Sequence, residues 1–239
     1  NGATIYINKA DGSQQTIAEK EVQHGESVTL TIDAELQEKV YKEMDGEPGT
    51  AAALDPITGE TLALVSSPSF NPNVLTLGAT AEQWEKIEED PNKPLINRFK
   101  STFSPGSVIK PITAAIGLKN NAIDWKKTME VDGLKWQKDS TWGNYYVTRV
   151  SDPNTPVDLE KALVYSDNIF FAQTALELGN KGFVSGLKAF GFGEEIPYTY
   201  PLEKSKYGEI DSDIILADSG YGQGQIGMSV VHLAATYTP

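Results

Sequence analysis

With 239 residues, 39% hydrophobic and 22% charged, the chain can bury a sizeable core, which excludes a disordered polymer. An excess of 33 Asp and Glu over 20 Lys and Arg gives a net charge of -13, which repels nucleic acid and anionic membrane surfaces, so no nucleic-acid partner is expected. The lack of cysteine removes disulfides and thiolate chemistry, and His24 and His232 stand outside any ligand spacing, so neither a metal nor a cofactor is expected.

No apolar run approaches the ~18 residues that span a bilayer, and no signal peptide opens the chain. The start, Asn-Gly-Ala-Thr-Ile-Tyr-Ile, reads as the middle of a domain, which leaves room for an anchor upstream in a longer parent. Residues 3–32 are strand-like: Thr4-Ile5-Tyr6-Ile7, an Asp11-Gly12 turn, Thr16-Ile17, and later Val28 to Ile32. Asp33 then caps a predicted helix to about Met44, with Leu36, Val40 and Met44 recurring every four residues on one face.

Two apolar runs, residues 50–54 and 60–65, flank Asp55-Pro-Ile-Thr-Gly59, whose early Pro and late Gly predict a β-hairpin. Their continuous apolar character predicts cover on both faces, and hence an α+β architecture. A Pro- and Asn-rich loop follows over residues 66–73. Thr80-Ala-Glu-Gln83 has the capping-box form for a short exposed helix that ends before Pro91.

Residues 104–117, Ser-Pro-Gly-Ser-Val-Ile-Lys-Pro-Ile-Thr-Ala-Ala-Ile-Gly, combine a Pro-Gly turn with a helix apolar on most sides (Val108, Ile109, Ile112, Ala115, Ile116). Pro111 fits only a first turn, so the helix starts near Ser107. Residues 120–154 lack periodicity and read as an irregular insertion. Thr155 and Pro156 then offer an N-cap and a first helical position for a helix to about Leu163. After a break at residues 165–168, helical spacing resumes, stops at Gly179, and repeats over residues 183–190. Residues 220–224 form a Gly-rich loop, and Ser229 can cap a last helix reaching Thr238.

Serine is a poor nucleophile unless a base takes its proton, and Lys110, one helical turn after Ser107, can do so if burial lowers its pKa. A serine in the first turn also meets backbone N–H groups and the positive end of the helix dipole. The bare spacing is weak evidence: the chain's Ser and Lys content gives roughly one Ser-x-x-Lys by chance, and Ser185-Gly-Leu-Lys188 is a second. Ser185 lies mid-helix without a turn to expose it, and reads as a surface residue. Ser166-Asp167-Asn168 offers a second hydroxyl and an amide at the interhelical break, although on its own Ser166 reads first as a helix cap. A rival Ser69-Phe-Asn71 sits in the Pro-rich loop, where a plain turn accounts for it.

Ser-x-x-Lys and Ser-Asp-Asn occur together, in this order, in penicillin-binding proteins and class A β-lactamases. The chain further resembles the transpeptidase domain of class B penicillin-binding proteins at Leu30-Thr-Ile-Asp33, Ala53-Leu-Asp55, Thr58-Gly-Glu60, Ser67-Pro-Ser-Phe70, Asn97-Arg98, Pro105-Gly-Ser107 and Gly222-Gln-Gly224. Tyr165-Ser-Asp-Asn-Ile-Phe-Phe-Ala172 and Ala175-Leu-Glu-Leu-Gly179 resemble the low-affinity, methicillin-resistance type of Gram-positive bacteria.

The resemblance implies a penicillin-binding, serine β-lactamase-like α+β fold, with residues 1–27 a remnant of a preceding non-catalytic domain and residues 28–239 the transpeptidase domain. It makes Ser107 the acylated nucleophile, Lys110 its base, Ser166 a proton relay and Asn168 a ligand for the substrate amide. The implied activity is D,D-transpeptidation of peptidoglycan stem peptides ending in D-Ala-D-Ala, with β-lactams as covalent inhibitors. The implied setting is the outer face of the cell membrane, with an anchored parent working beside the cell-wall synthesis machinery. A Lys-Thr-Gly triplet, expected on a strand after the Gly-Gln-Gly loop, is absent from the 239 residues, so the chain and its sheet are expected to be truncated there. A serine β-lactamase and a β-lactam sensor acylated without turnover are the alternative readings; the strand-rich segment ahead of Val28 disfavours both.

Overall fold

The computed structural model describes residues 2–76 and 78–238, and the chain divides into two compact units, Asn1–Thr31 and Ile32–Pro239. The first unit is an antiparallel hairpin of β1 (Ala3–Asn8) and β2 (Gln14–Lys20), every residue of which is exposed. Its turn forms as the sequence predicts, with Asp11 accepting from the Ser13 N–H and Gly12 at φ +84°. The expected strand character over residues 28–32 does not appear. Val28 and Leu30 are 79% and 70% exposed, and β-propensity expresses fit to a half-buried pleated surface that these side chains do not meet.

The second unit opens with α1 (Ala34–Glu43), capped by Asp33, whose Oδ1 accepts from the Glu35 and Leu36 N–H groups at 2.9 and 3.0 Å. Strands β3 (Gly49–Leu54) and β4 (Thr61–Ser67) pair antiparallel across a turn in which Asp55 takes the Ile57 and Thr58 amides at 2.8 Å. β4 alternates fully and partly buried residues and every β3 residue is partly buried, so both strands are covered, though less evenly than their apolar runs imply. α1 packs on β4 through its Leu36, Val40 and Met44 stripe, and the Gln37 amide donates to the Leu64 carbonyl (2.8 Å) and accepts from its N–H (2.7 Å).

Pro72–Thr76 forms a short helix, α2, at the end of the expected loop. α3 (Ala81–Glu88) carries the predicted reciprocal bonds between Thr80 and Gln83. A 3-10 turn, Gly106–Ile109, leads into α4 (Lys110–Lys119). Ile109, Ile112 and Ile116 are buried as expected, whereas Val108 and Ala115 lie on the exposed side. The insertion is irregular apart from a two-residue ladder of β5 (Lys135–Trp136) and β6 (Val147–Thr148) and a 3-10 turn over Ser140–Trp142, and Trp136 meets Trp142 edge to face at 5.5 Å.

α5 (Leu159–Val164) starts three residues later than the sequence suggests. Its cap is Asp158, accepting from the Lys161 N–H at 2.9 Å, not Thr155. The reason is a bridge: Val157 exchanges both backbone hydrogen bonds with Met129, which holds it extended and prevents a helix from beginning at Pro156. α6 (Asn168–Ala189) is broken at Gly179 (φ +66°, ψ 167°), where the sequence places its stop. α7 (Asp213–Gly220) and α8 (Val230–Thr236) complete the unit. Ser229 caps α8 as expected, and the helix ends two residues short of Thr238.

Two apolar clusters form the core. One gathers Trp142, Leu159, Phe170 and Phe171, the other Ile109, Ile112, Ile116, Phe183 and Leu187, and the packing of α4 and α7 on α6 joins the elements that carry them. Helices gathered beside the β3–β4 hairpin are the mixed α+β arrangement expected. No helix among the described residues is long and apolar enough to cross a membrane.

Candidate active site

The turn that carries Ser107 is built from backbone. Gly106 takes φ +56°, a conformation glycine adopts without strain, and donates its N–H to the Gly222 carbonyl at 3.0 Å; the Ser104 hydroxyl donates to the same oxygen at 2.9 Å. Gly222 (φ +85°) lies so close that an added Cβ would fall 2.1 Å from the Gly106 oxygen. The Gly-rich loop is thus packed under the Ser107 turn, and only glycine fits there. Ser107 itself is exposed at the head of α4. The Tyr237 hydroxyl donates to the neighbouring Val108 carbonyl, a link no local pattern announces.

Lys110 is 2% exposed and its ammonium meets three acceptors: the Ser166 carbonyl (2.7 Å), the Ser166 hydroxyl (2.9 Å) and Asn168 Oδ1 (2.6 Å). The Phe171 ring lies 5.9 Å away. Burial pulls its pKa from 10.5 down to about 8, against the opposing pull of the Asp167 carboxylate. Near neutral pH a usable fraction is therefore free amine. The structure brings Lys110, Ser166 and Asn168 together; Ser107 stands one turn before Lys110, whose N–H donates to the Ser107 carbonyl, and no hydrogen bond joins the two side chains.

Ser166 sits at φ +52°, rare for a residue with a Cβ, and that turn points both its carbonyl and its hydroxyl at Lys110. It is not the helix cap. That part belongs to Asp167, whose Oδ1 accepts from the Ile169 and Phe170 N–H groups at 2.8 and 3.1 Å. Asp167 Oδ2 pairs with Arg149 at 3.0 Å, both side chains 2% exposed. The remaining guanidinium donors reach the Gly133 and Val131 carbonyls and Asp152. Asn168 is fixed from the other side by donating to the Thr148 carbonyl at 2.9 Å.

Arg149 and the Thr148 carbonyl are the supports that the sequence pattern did not disclose. The available signal was a charged residue at the end of an apolar alternation, Tyr146-Val-Thr-Arg-Val150, in one of the chain's two arginines. Ser185, the decoy, is exposed within α6, and Ser69 lies in a loop with its N–H on the Tyr41 hydroxyl.

A buried amine of lowered pKa, a hydroxyl and a carboxamide beside an exposed serine at a helix start can move a proton from a nucleophile and hold an amide substrate. Residues 49–239 match the penicillin-binding protein transpeptidase domain family. The chain is 52% identical to penicillin-binding protein 3 of Bacillus subtilis over all of its own length and 36% of that protein's. It is 28% identical to the peptidoglycan D,D-transpeptidase MrdA of Acinetobacter baumannii, over 93% of this chain and 33% of that one. Among solved structures it resembles the imipenem acyl-enzyme complex of penicillin-binding protein A from M. tuberculosis, with a TM-score of 0.72 and 27% identity, over 87% of this chain and 50% of that one. The chain thus spans only about a third of the length of the curated relatives it matches. With the family match running through the Ser107 turn, the Ser166–Asn168 break and the Gly-rich loop, the chain belongs to the penicillin-binding protein transpeptidase family.

Proposed function

We propose that the protein is a serine D,D-transpeptidase that cross-links peptidoglycan stem peptides. The observation that carries this reading is the Lys110 ammonium held jointly by Ser166 and Asn168, which unites two motifs far apart in the chain around one buried base. Ser107 Oγ attacks the carbonyl of the D-Ala-D-Ala bond while Lys110, as free amine, takes its proton. The carbon–nitrogen bond breaks, the departing D-Ala nitrogen receives the proton through Ser166, and an acyl-serine ester remains. An amine on a neighbouring stem peptide then attacks the ester, and its proton returns to the Ser107 oxygen. Asn168 hydrogen-bonds the substrate amide. A β-lactam enters the same first step, but its leaving nitrogen stays tethered by the opened ring.

A complete oxyanion site needs a second amide donor besides the Ser107 N–H, and the full-length protein is proposed to supply it from a strand bearing the Lys-Thr-Gly triplet that these residues lack. Residues 1–27 belong in this reading to a preceding non-catalytic domain. The parent works at the outer face of the cell membrane, anchored there and alongside the cell-wall machinery. The sequence around Ser166 supports assignment to the low-affinity, methicillin-resistance-like type.

In the full-length protein, a fluorescent penicillin is expected to attach covalently at Ser107 and not at Ser185, and Ser107→Ala is expected to abolish it. Labelling that survives the substitution would overturn the assignment. Slow labelling by common β-lactams relative to a high-affinity family member is the expected mark of the low-affinity type.

A further inference from the structure

Asp218, on α7, receives two phenolic hydroxyls. Tyr145 donates to its Oδ1 at 2.5 Å and Oδ2 at 2.6 Å, and Tyr221 donates to the same Oδ1. Burial, and then the bond to Asp218, push the Tyr145 pKa up to about 12; the same causes push Tyr221 higher still, so both remain donors. Tyr221 is buried, and Trp142 packs edge to face on Tyr145 at 5.9 Å. A carboxylate that accepts from two ring hydroxyls in a partly dry setting forms stiff, charge-assisted bonds.

The places of the two tyrosines matter more than the bonds. Tyr221 directly precedes Gly222, whose carbonyl holds Gly106 and Ser104 in the nucleophile turn. The Asp218 carbonyl also accepts from the Tyr221 and Gln223 N–H groups, so the residue braces the Gly-rich loop with main chain and side chain alike. Tyr145 lies three positions before Thr148, whose carbonyl holds Asn168. One carboxylate therefore spans the loop under Ser107 and the insertion that sets Asn168. We propose that Asp218, with Tyr145 and Tyr221, is a positioning device that fixes the separation between the Ser107 side and the Ser166–Asn168 side of the site.

This rests on the proposed acyl-serine chemistry for its consequence, not for its geometry. The second tie between the same segments, Lys138 to Asp213 at 2.5 Å, is exposed and serves as a control.

The test uses full-length protein, Tyr145→Phe, Tyr221→Phe, the double variant and Lys138→Ala. Two measurements run side by side: the saturation kinetics of acylation by a fluorescent penicillin, and amide hydrogen exchange. Tyr145→Phe is expected to slow the maximal acylation rate about tenfold with little change in the half-saturating concentration, and the double variant to be no slower than about twice the worse single one. Tyr145→Phe should also speed exchange at least fivefold at the amides of Ser104, Gly106 and Ser107, which its hydroxyl does not bond. Lys138→Ala should leave both within twofold. Exchange that changes only around residue 145, with an unaltered acylation maximum, would overturn the proposal, as would fully multiplicative losses in the double variant. If the unmodified protein is not acylated at Ser107, the functional reading falls and the exchange at residues 104–107 alone decides the coupling.

Discussion

The two sides of the site are built from different materials. Around Ser107 the chain uses main chain: a 3-10 turn, a positive-φ glycine and a Gly222 carbonyl shared by two donors. Around Ser166 it uses side chains: a left-handed serine, a carboxylate that caps α6, and a buried arginine that pairs with it. The first kind fails when a side chain is added, because there is no room. The second fails when a charge is removed, because its partner is left buried and alone.

The largest expected effect tests the charged side. Arg149→Met leaves the Asp167 carboxylate buried without its cationic partner and takes a donor from the Gly133 and Val131 carbonyls and from Asp152, and is expected to cost about 3–5 kcal/mol in denaturant unfolding. A loss below about 1 kcal/mol would show that water replaces the guanidinium and that the side is less dry than its burial implies.

Gly222→Ala probes the main-chain side. The new methyl meets the Gly106 carbonyl while the backbone stays at positive φ, so about 2–4 kcal/mol is expected, with penicillin acylation falling at least tenfold. Retained acylation in a destabilised protein would separate the loop's packing from the placing of Ser107.

Lys110 is where the two sides meet, and pH reads it. Its folded pKa lies below the unfolded value of 10.5, so folding releases a proton in the window between about 8 and 10.5; its burial penalty is present below about 8 and is relieved as pH rises through that window. In the proposed reaction the free amine is also the form that takes the Ser107 proton. Acylation should therefore rise up to about tenfold per pH unit below 8 and flatten above it. A flat profile from pH 6 to 9 would remove Lys110 from the role of base.

The smallest effect concerns the helix that leads into the Ser166 turn. Asp158→Ala should cost about 1 kcal/mol in unfolding free energy, whereas Thr155→Ala should change it by less than about 0.5 kcal/mol. Equal losses would mean that α5 begins at Pro156 after all.

This contrast also marks what the sequence disclosed. The Asp33 and Ser229 caps, the Thr80–Gln83 box, the Asp55–Gly59 turn and the break at Gly179 were legible because each depends on residues within a few positions of one another. The α5 cap was misplaced because Met129, a distant residue, holds Val157 extended. Cap chemistry alone made Ser166 a candidate, but the neighbouring Asp167 had the stronger claim, and its arginine lies 18 positions upstream. Residues 28–32 look like a strand to any local rule, yet a strand exists only where there is a surface to receive it. Spacing alone offers two Ser-x-x-Lys choices; the Pro-Gly turn and the helix start separate Ser107 and Lys110 from the Ser185 decoy, while the parts assigned to Ser166 and Asn168 rest on the resemblance.

The Gln37 amide on Leu64 has a further consequence. A carboxamide offers the same donor and acceptor as a peptide unit, so here a side chain stands where a neighbouring strand's backbone would pair; the Asp33 N–H does the same for the Leu62 carbonyl. The Leu62 and Leu64 groups on the outer margin of β4 are thereby already engaged, which leaves a foreign strand less to pair with there. The hairpin thus has one flank whose hydrogen-bonding groups are met from within its own chain.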